Sequence, residues 1–188
     1  MNRLVSSIKY YFLKLFAAQK IESSPKSSIA MPNKSFYDLK FNSINGKEIN
    51  FNSFKGKKIL IVNVASECGF TPQYKELESL HQKHGNTIYV LGFPSNNFGT
   101  QEPGSNSEIE TFCTKNFGLT FQLFEKSDVV GENQNEVYEW LTNKDQNGWN
   151  EENPKWNFCK YLINESGELV KSFSAAVNPI GEEITKLL

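Results

Sequence analysis

Residues 57–94 read KKILIVNVASECGFTPQYKELESLHQKHGNTIYVLGFP and decide the fold. Two unbroken aliphatic runs, Lys57–Ala65 and Thr87–Pro94, are typical of strands buried on both faces of a sheet. Between them, apolar residues recur at helical spacing, which predicts a helix from Pro72 to Lys83 that ends at Gly85. A strand–helix–strand unit of this kind crosses over right-handed to a parallel strand.

The segments on either side complete an α/β domain. The Asn45-Gly46 pair lies between alternating residues and predicts an N-terminal β-hairpin with a two-residue turn. Helices are predicted over residues 106–118, capped by the opening Asn-Ser pair, and over residues 135–144. A second hairpin turns at Glu165–Gly167, and residues 179–188 form a closing helix. The predicted class is α/β, with a central mixed sheet flanked by helices.

Composition and charge limit the classes of function. At 188 residues with 38% apolar side chains, the chain suits one folded domain. Its net charge of −1 gives no general attraction to nucleic acid or to anionic membranes. Three cysteines are an odd count in a domain large enough to fold without disulfides, which favours free or redox-active thiols.

The N-terminal segment has a different composition. Residues 1–31 carry a net charge of +4 and are rich in serine, and their apolar stretch Tyr10–Ala18 is too short to cross a bilayer. Three interpretations stay open: a targeting segment for an organelle, a helix lying on a membrane surface, or an extension without a role. Ser23–Pro32 has the composition of a linker. We therefore divide the chain into an extension, 1–33, and a globular domain, 34–188.

Cys68 lies where chemistry is expected in an α/β sheet. It follows the carboxyl end of a buried strand and precedes a helix, the edge at which ligands gather in open α/β sheets. A helix N-terminus favours thiolate, the reactive form of cysteine. The alternative is an inert thiol packed under a turn. A dithiol enzyme would carry a second cysteine three positions on, where this chain has Thr71.

A polar loop follows the next strand and returns to the same edge. Residues 92–105, GFPSNNFGTQEPGS, contain three side-chain amides, those of Asn96, Asn97 and Gln101. Amides donate hydrogen bonds without adding charge. Placed beside Cys68, they would stabilise the thiolate and orient a peroxide oxygen.

Two further segments add chemistry. In NPKWNF, Trp156 offers an indole N–H and Asn157 an amide, adjacent in sequence and both hydrogen-bond donors. In FCTKNF, Cys113 lies within a predicted helix. The simpler interpretation of the first pair is a core tryptophan beside a capping asparagine.

Three motifs in order, NVASECGFTPQY, GFPSNNFGTQEPGS and KWNF, resemble those of the glutathione peroxidase family. The resemblance covers roughly residues 34–188 and implies a thioredoxin-like fold. It also implies a catalytic tetrad, which matches Cys68, Gln101, Trp156 and Asn157. Ser95 and Asn97 depart from the residues that many members carry.

The resemblance implies a thiol peroxidase that reduces hydrogen peroxide and organic or lipid hydroperoxides, an antioxidant function in the response to oxidative stress. Peroxide would convert Cys68 to a sulfenic acid. Cys113 matches the resolving cysteine of related proteins and would form a disulfide with Cys68 after its helix unwinds locally. Neither a cofactor nor a metal is expected, and Cys159 is expected to be buried and inert.

The resemblance also bears on partners. Glutathione-specific members bind their reductant with arginines, whereas Arg3 is the only arginine here. A thioredoxin-like protein is therefore the expected reductant, with glutathione as the alternative. The short segment between Phe124 and Trp140 lacks the insertion of tetrameric members, which predicts a monomer. We expect the cytoplasm or another reducing compartment.

Two other classes of function stay open at this stage. A peroxide-sensing relay would use the same Cys68 and Cys113 to pass a disulfide to a partner protein. A thioredoxin-fold binding module without catalysis would need neither thiol.

Overall fold

The computed structural model describes residues 19–25 and 33–188. The predictions for a targeting or membrane-surface segment, and most of the predicted linker, lie outside these residues. Eight strands and five α-helices lie within them, with short 3-10 turns at Phe36–Asp38 and Phe51–Phe54. In chain order they are β1 (Ile21–Ser23), β2 (Lys40–Asn42), β3 (Glu48–Asn50), β4 (Lys58–Val64), α1 (Gln73–His84), β5 (Ile88–Pro94), α2 (Asn106–Phe117), β6 (Gln122–Leu123), α3 (Glu136–Thr142), α4 (Lys144–Asn147), β7 (Lys160–Ile163), β8 (Leu169–Phe173) and α5 (Glu182–Thr185).

Six of the strands form one mixed sheet, in the order β1-β8-β7-β4-β5-β6. The central pair β4 and β5 is parallel, with Ile61 opposite Leu91, and α1 connects the two strands. On the other side, β4 pairs antiparallel with β7, and β7 with β8. The expected strand–helix–strand unit and the thioredoxin-like α/β class are therefore confirmed.

The sheet separates two apolar cores. Helices α1 and α2 pack on one face, where Tyr74 and Cys113 lie in the same cluster as alternate residues of β4. Helix α3 packs on the opposite face, where Phe93 and Phe124 stack with ring centroids 4.5 Å apart. Because both faces of β4 are covered, its sequence has to be continuously apolar.

Two local predictions were wrong in detail. The N-terminal hairpin forms from β2 and β3, but its turn is wider than two residues, since the Ser43 N–H donates to the Lys47 carbonyl across residues 44–46. The Ser43 hydroxyl stabilises the wider loop by accepting from the Lys47 N–H at 3.0 Å.

The cap of α2 also differs from the prediction. Ser105 caps this helix through a capping box with Glu108, rather than Asn106 or Ser107. The Asn106 side chain instead accepts a hydrogen bond from the Lys126 N–H at 2.8 Å.

One strand comes from the part of the chain that we assigned to the extension. β1 pairs antiparallel with β8, with Ile21 opposite Phe173, and so forms an edge of the central sheet. The Ser24 N–H adds a bond to the Val170 carbonyl at 3.0 Å. The division of the chain at residues 33 and 34 stays a prediction. Nowhere in residues 19–25 or 33–188 is there a helix long and apolar enough to cross a membrane.

Candidate active site

Cys68 lies in the loop that joins β4 to α1, and Thr71 holds this loop in shape. The Thr71 hydroxyl accepts from the Cys68 N–H at 2.9 Å and donates to the Ala65 carbonyl at 2.8 Å. The position that would carry a second cysteine in a dithiol enzyme therefore closes the turn around the first. The Cys68 side chain is buried, with 4% of the residue exposed.

Three hydrogen-bond donors surround the Cys68 sulfur. The Phe70 N–H donates to Sγ at 3.3 Å, and the side chains of Asn157 and Trp156 are close enough to lower the pKa of the thiol as donors. Burial raises the pKa of Cys68, and these three donors offset part of that rise. The net shift of the Cys68 pKa is upward, because burial outweighs the donors; that the nearby helix N-terminus favours the thiolate stays a prediction.

Asn157 connects Cys68 to Gln101. Its Nδ2 group donates to the Gln101 Oε1 atom at 3.0 Å and lies 3.4 Å from the Phe98 carbonyl. Because the Gln101 carbonyl oxygen accepts this bond, the NH2 group of the same side chain remains as a donor. The backbone carbonyl of Gln101 accepts from the Glu67 N–H at 3.0 Å. This bond ties the loop of Gln101 to the loop of Cys68.

The segments that carry Gln101 and Asn157 contain backbone strain. Thr100 precedes Gln101 with φ 52°, and Phe158 follows Asn157 with φ 65°, the two non-glycine residues with positive φ among those described. Such conformations cost about 1–3 kcal/mol each and cluster at functional sites. Asn63 at the end of β4 holds the second segment, since its carbonyl accepts from the Phe158 N–H and its amide donates to the Trp156 carbonyl.

Trp156 is the member of this group that faces solvent. It is 38% exposed, although it is a large apolar side chain, and its ring lies 6.0 Å from the ring of Phe98. The exposed Trp156 ring and the partly exposed Phe98 ring therefore form an apolar surface next to Asn157.

Two of the three predicted loop amides do not belong to the site. The Asn97 amide donates to Asp128 at 2.8 Å, and its oxygen accepts from the Val129 N–H at 2.7 Å, so it fixes the loop against a later segment. The Asn96 oxygen accepts from the Glu102 N–H at 2.9 Å. Gln101 alone of the three contacts Asn157.

Cys113 lies on α2, buried in the same core cluster as Cys68, and both are free thiols. Burial raises the pKa of Cys113 to about 12, despite the hydrogen bond that Tyr74 offers its thiolate. Cys159 is also free and is 7% exposed. In the packed helix, Cys113 is therefore a protonated, inert thiol.

Glu102 was missed by the sequence analysis. It follows Gln101 directly and is fully buried, with the Ser66 hydroxyl bonded to its Oε1 atom. Burial raises the pKa of this carboxyl to about 7. The one available signal was a carboxylate in a loop that returns to the reactive edge of the sheet.

Across residues 19–25 and 33–188, no group of three or more histidine, cysteine or acidic side chains is arranged to hold a metal ion. The chemistry of the site is that of sulfur and neutral hydrogen-bond donors. A thioredoxin-like sheet that presents a cysteine in this setting defines the class of protein, a thiol oxidoreductase.

Comparison with known proteins identifies the family. Residues 36–142 match the sequence model of glutathione peroxidase. The chain is 46% identical to glutathione peroxidase-like peroxiredoxin 2 of Saccharomyces cerevisiae, over 82% of this chain and 97% of that protein. It is 41% identical to a hydroperoxy fatty acid reductase of Synechocystis sp., over 85% and 99%. The crystal structure of T. cruzi GPX1 superposes with a TM-score of 0.64 at 32% identity, covering 82% of this chain and 94% of that one.

The chain therefore belongs to the glutathione peroxidase family. It is a thiol peroxidase that reduces hydroperoxides, as the sequence analysis predicted.

Proposed function

We propose that Cys68 is the peroxidatic residue, that Gln101, Trp156 and Asn157 stabilise its reaction, and that Cys113 resolves the product. The observation that carries this proposal is the Asn157 amide, which donates to the Gln101 side chain at 3.0 Å and, as a neighbouring donor, lowers the pKa of Cys68. A single donor thus connects the nucleophile to a second amide beside it.

In the first step, the Cys68 thiolate attacks the terminal oxygen of the hydroperoxide. The S–O bond forms as the O–O bond breaks, so the sulfur is oxidised to sulfenic acid and the peroxide is reduced. The leaving alkoxide takes a proton from solvent and departs as alcohol, or as water from hydrogen peroxide. The Trp156 N–H and the Gln101 NH2 group are the neutral donors that would stabilise the developing negative charge.

In the second step, the Cys113 thiolate attacks the Cys68 sulfenic sulfur. The S–S bond forms, the S–O bond breaks, and hydroxide leaves and is protonated to water. Cys113 is buried on α2 with a pKa of about 12, so this step requires α2 to open and expose the thiol. In solvent, the thiol returns to the ordinary cysteine range and ionises readily.

A thioredoxin-type dithiol is the reductant that this scheme favours. A disulfide between Cys68 and Cys113 is the substrate of a dithiol protein, which reduces it by exchange through a mixed disulfide. The yeast relative is named a peroxiredoxin, which supports the same conclusion. A thioredoxin-type reductant implies a reducing compartment, and the short segment between Phe124 and Trp140 favours a monomer.

Glutathione is the weaker alternative. Its carboxylates need cationic partners, and the chain has no arginine after Arg3. Each hydrogen bond to a charged group contributes about 1.5–3 kcal/mol, or roughly 10- to 100-fold in affinity. Lysine supplies charge without the bidentate geometry of arginine.

The reductant is tested by a peroxidase assay that compares the two donors. With thioredoxin, thioredoxin reductase and NADPH, we expect a kcat/KM at least about tenfold above the value with glutathione. The control is the same chain without peroxide, which reports background oxidation. Equal or faster turnover with glutathione would overturn this assignment while leaving the role of Cys68 intact.

The resolving step is tested by Cys113→Ser. The first turnover with peroxide should be unchanged, because Cys113 takes no part in O–O cleavage, whereas turnover with thioredoxin should fall to background. Mass spectrometry should find a Cys68–Cys113 link in the oxidised parent chain and a trappable sulfenic acid on Cys68 in the variant. An active parent chain that never forms this link would contradict the proposal.

A further inference from the structure

The buried junction between the Cys68 loop and α2 contains a carboxyl group that the peroxidase scheme does not use. Glu102 lies directly after Gln101 and is fully buried. One of its oxygens accepts from the Ser66 hydroxyl, two residues before Cys68. The other, Oε2, is buried without a hydrogen-bond partner. An ionised carboxylate in this position would be poorly solvated.

The same carboxyl group acts electrostatically on Cys113, the proposed resolving cysteine. A negative charge on Glu102 raises the pKa of Cys113 on α2 and of Tyr74 on α1, so both side chains lie within its electrostatic reach. The turn that begins at Glu102 therefore connects the Cys68 loop, through Ser66, with the start of α2, where Gly104 packs against Glu108 and Ile109.

Lys126 joins the start of α2 to residues 102–104, the turn that contains Glu102. The Lys126 ammonium donates to the carbonyls of Glu102, Pro103 and Gly104, and the Lys126 N–H donates to the Asn106 side chain in the first turn of α2. Any loosening around Glu102 is thus transmitted to the first residues of the helix.

We propose that Glu102 is a positioning residue for the resolving step: its neutral carboxyl keeps α2 packed against the Cys68 loop, and its ionisation favours the opening that exposes Cys113. This inference rests on the proposed role of Cys113. The ionisation of one buried carboxyl would thus control when Cys113 can reach Cys68.

Burial and the neighbouring groups determine the direction in which the pKa of Glu102 shifts. Burial is the largest influence and raises the pKa of Glu102 to about 7 in the packed state. Hydrogen bonds from Ser66 and the charge of Lys126 lower the pKa, whereas Glu67 raises it. Cys113 and Tyr74 are neutral at these pH values because their own pKa values are raised.

The pH window follows from this raised pKa. In the open state Glu102 is solvated and titrates near the usual 4.5, whereas in the packed state it titrates near 7. Packing of α2 is therefore most stable below pH 4.5. As the pH rises from 4.5 to 7, the opening equilibrium constant increases by up to about tenfold per pH unit and then levels off.

Amide hydrogen exchange of the full chain tests the proposal. After correction for the intrinsic exchange rate, opening of Asn106–Phe117 should increase at least about tenfold between pH 5 and pH 7 in the parent chain. In Glu102→Gln it should be independent of pH, because the amide cannot ionise. Helix α3, Glu136–Thr142, lies on the opposite face and is the internal control.

Ser66→Ala provides the second variant. It removes a hydrogen bond that lowers the Glu102 pKa, so the pH at which opening levels off should move above about 7. A Glu102→Gln variant that retains the slope of the parent chain, or a flat profile in the parent chain, would overturn the proposal.

A rate measurement tests whether the ionisation of Glu102 controls disulfide formation. The rate of Cys68–Cys113 disulfide formation after a pulse of peroxide, divided by the rate in Glu102→Gln, should rise between pH 5 and pH 7. The division cancels the ionisation of Cys113 itself. If no such disulfide forms while the exchange result holds, the role of Cys113 fails and the coupling by Glu102 stands; if the disulfide forms with a flat ratio, the coupling fails.

Discussion

The Cys68→Ser variant is expected to reduce hydrogen peroxide at least about 10³ times more slowly than the parent chain. A serine hydroxyl does not ionise near neutral pH, and no histidine or other base is bonded to this side chain in the described structure, since the neighbours of the Cys68 sulfur are donors. The measurement is peroxide consumption in the first turnover, before any external reductant is needed.

Cys159→Ser is the matched control for this prediction. Cys159 is also a buried free thiol, with 7% of the residue exposed. It lies two positions after Asn157 and takes no part in the proposed reaction, so its loss should leave the first turnover unchanged. Activity that survives in Cys68→Ser but disappears in Cys159→Ser would reassign the nucleophile.

Loss of a donor to the sulfur should have the second largest effect. Trp156→Phe keeps an aromatic ring beside Phe98 but removes the indole N–H, and Asn157→Ala removes the amide that joins Cys68 to Gln101. Each change is expected to lower the second-order rate constant with peroxide by about 10²-fold, the scale found for single donors in preorganised sites.

The pH profile separates a lost donor from a misfolded chain. Both donors lower the pKa of Cys68, which burial raises, so each variant should shift thiol alkylation to higher pH. Trp149→Phe is the matched control, because Trp149 donates instead to the Leu169 carbonyl at 2.6 Å in the scaffold. A normal rate in Trp156→Phe, or an equal loss in Trp149→Phe, would remove Trp156 from the mechanism.

Much of the fold could be read from short stretches of sequence. The aliphatic run that became β4 had to lie in the centre of a sheet, because only a strand covered on both faces is continuously apolar. The hairpins and α1 and α2 were predicted for similarly local reasons. The cap of α2 was assigned to the wrong residue, because Ser105 and Asn106 are equally good caps and a bond from Lys126, twenty positions away, engages Asn106.

The residues of the site also divide into those that the sequence predicted and those whose role only the structure could assign. The order of the motifs identified Cys68, Gln101, Trp156 and Asn157, and the structure brings these residues together. Only the family resemblance distinguished Gln101 from Asn97 in the sequence, because the side-chain amides of the loop all have the same chemistry. Asp128, 31 positions from Asn97, decides that Asn97 serves the scaffold.

The sequence by itself determined the strand–helix–strand order of the central unit and the family of the chain, and it singled out Cys68 as the predicted reactive cysteine. These depend on residue type and on neighbours along the chain. Tertiary structure alone decided the direction of the Cys68 pKa shift, the burial of Glu102 and the place of β1 at the edge of the sheet. Each of these depends on which distant segment of the chain packs over a group and excludes water from it. Loss of water shifts the pKa of an ionisable group more than its neighbours in sequence do.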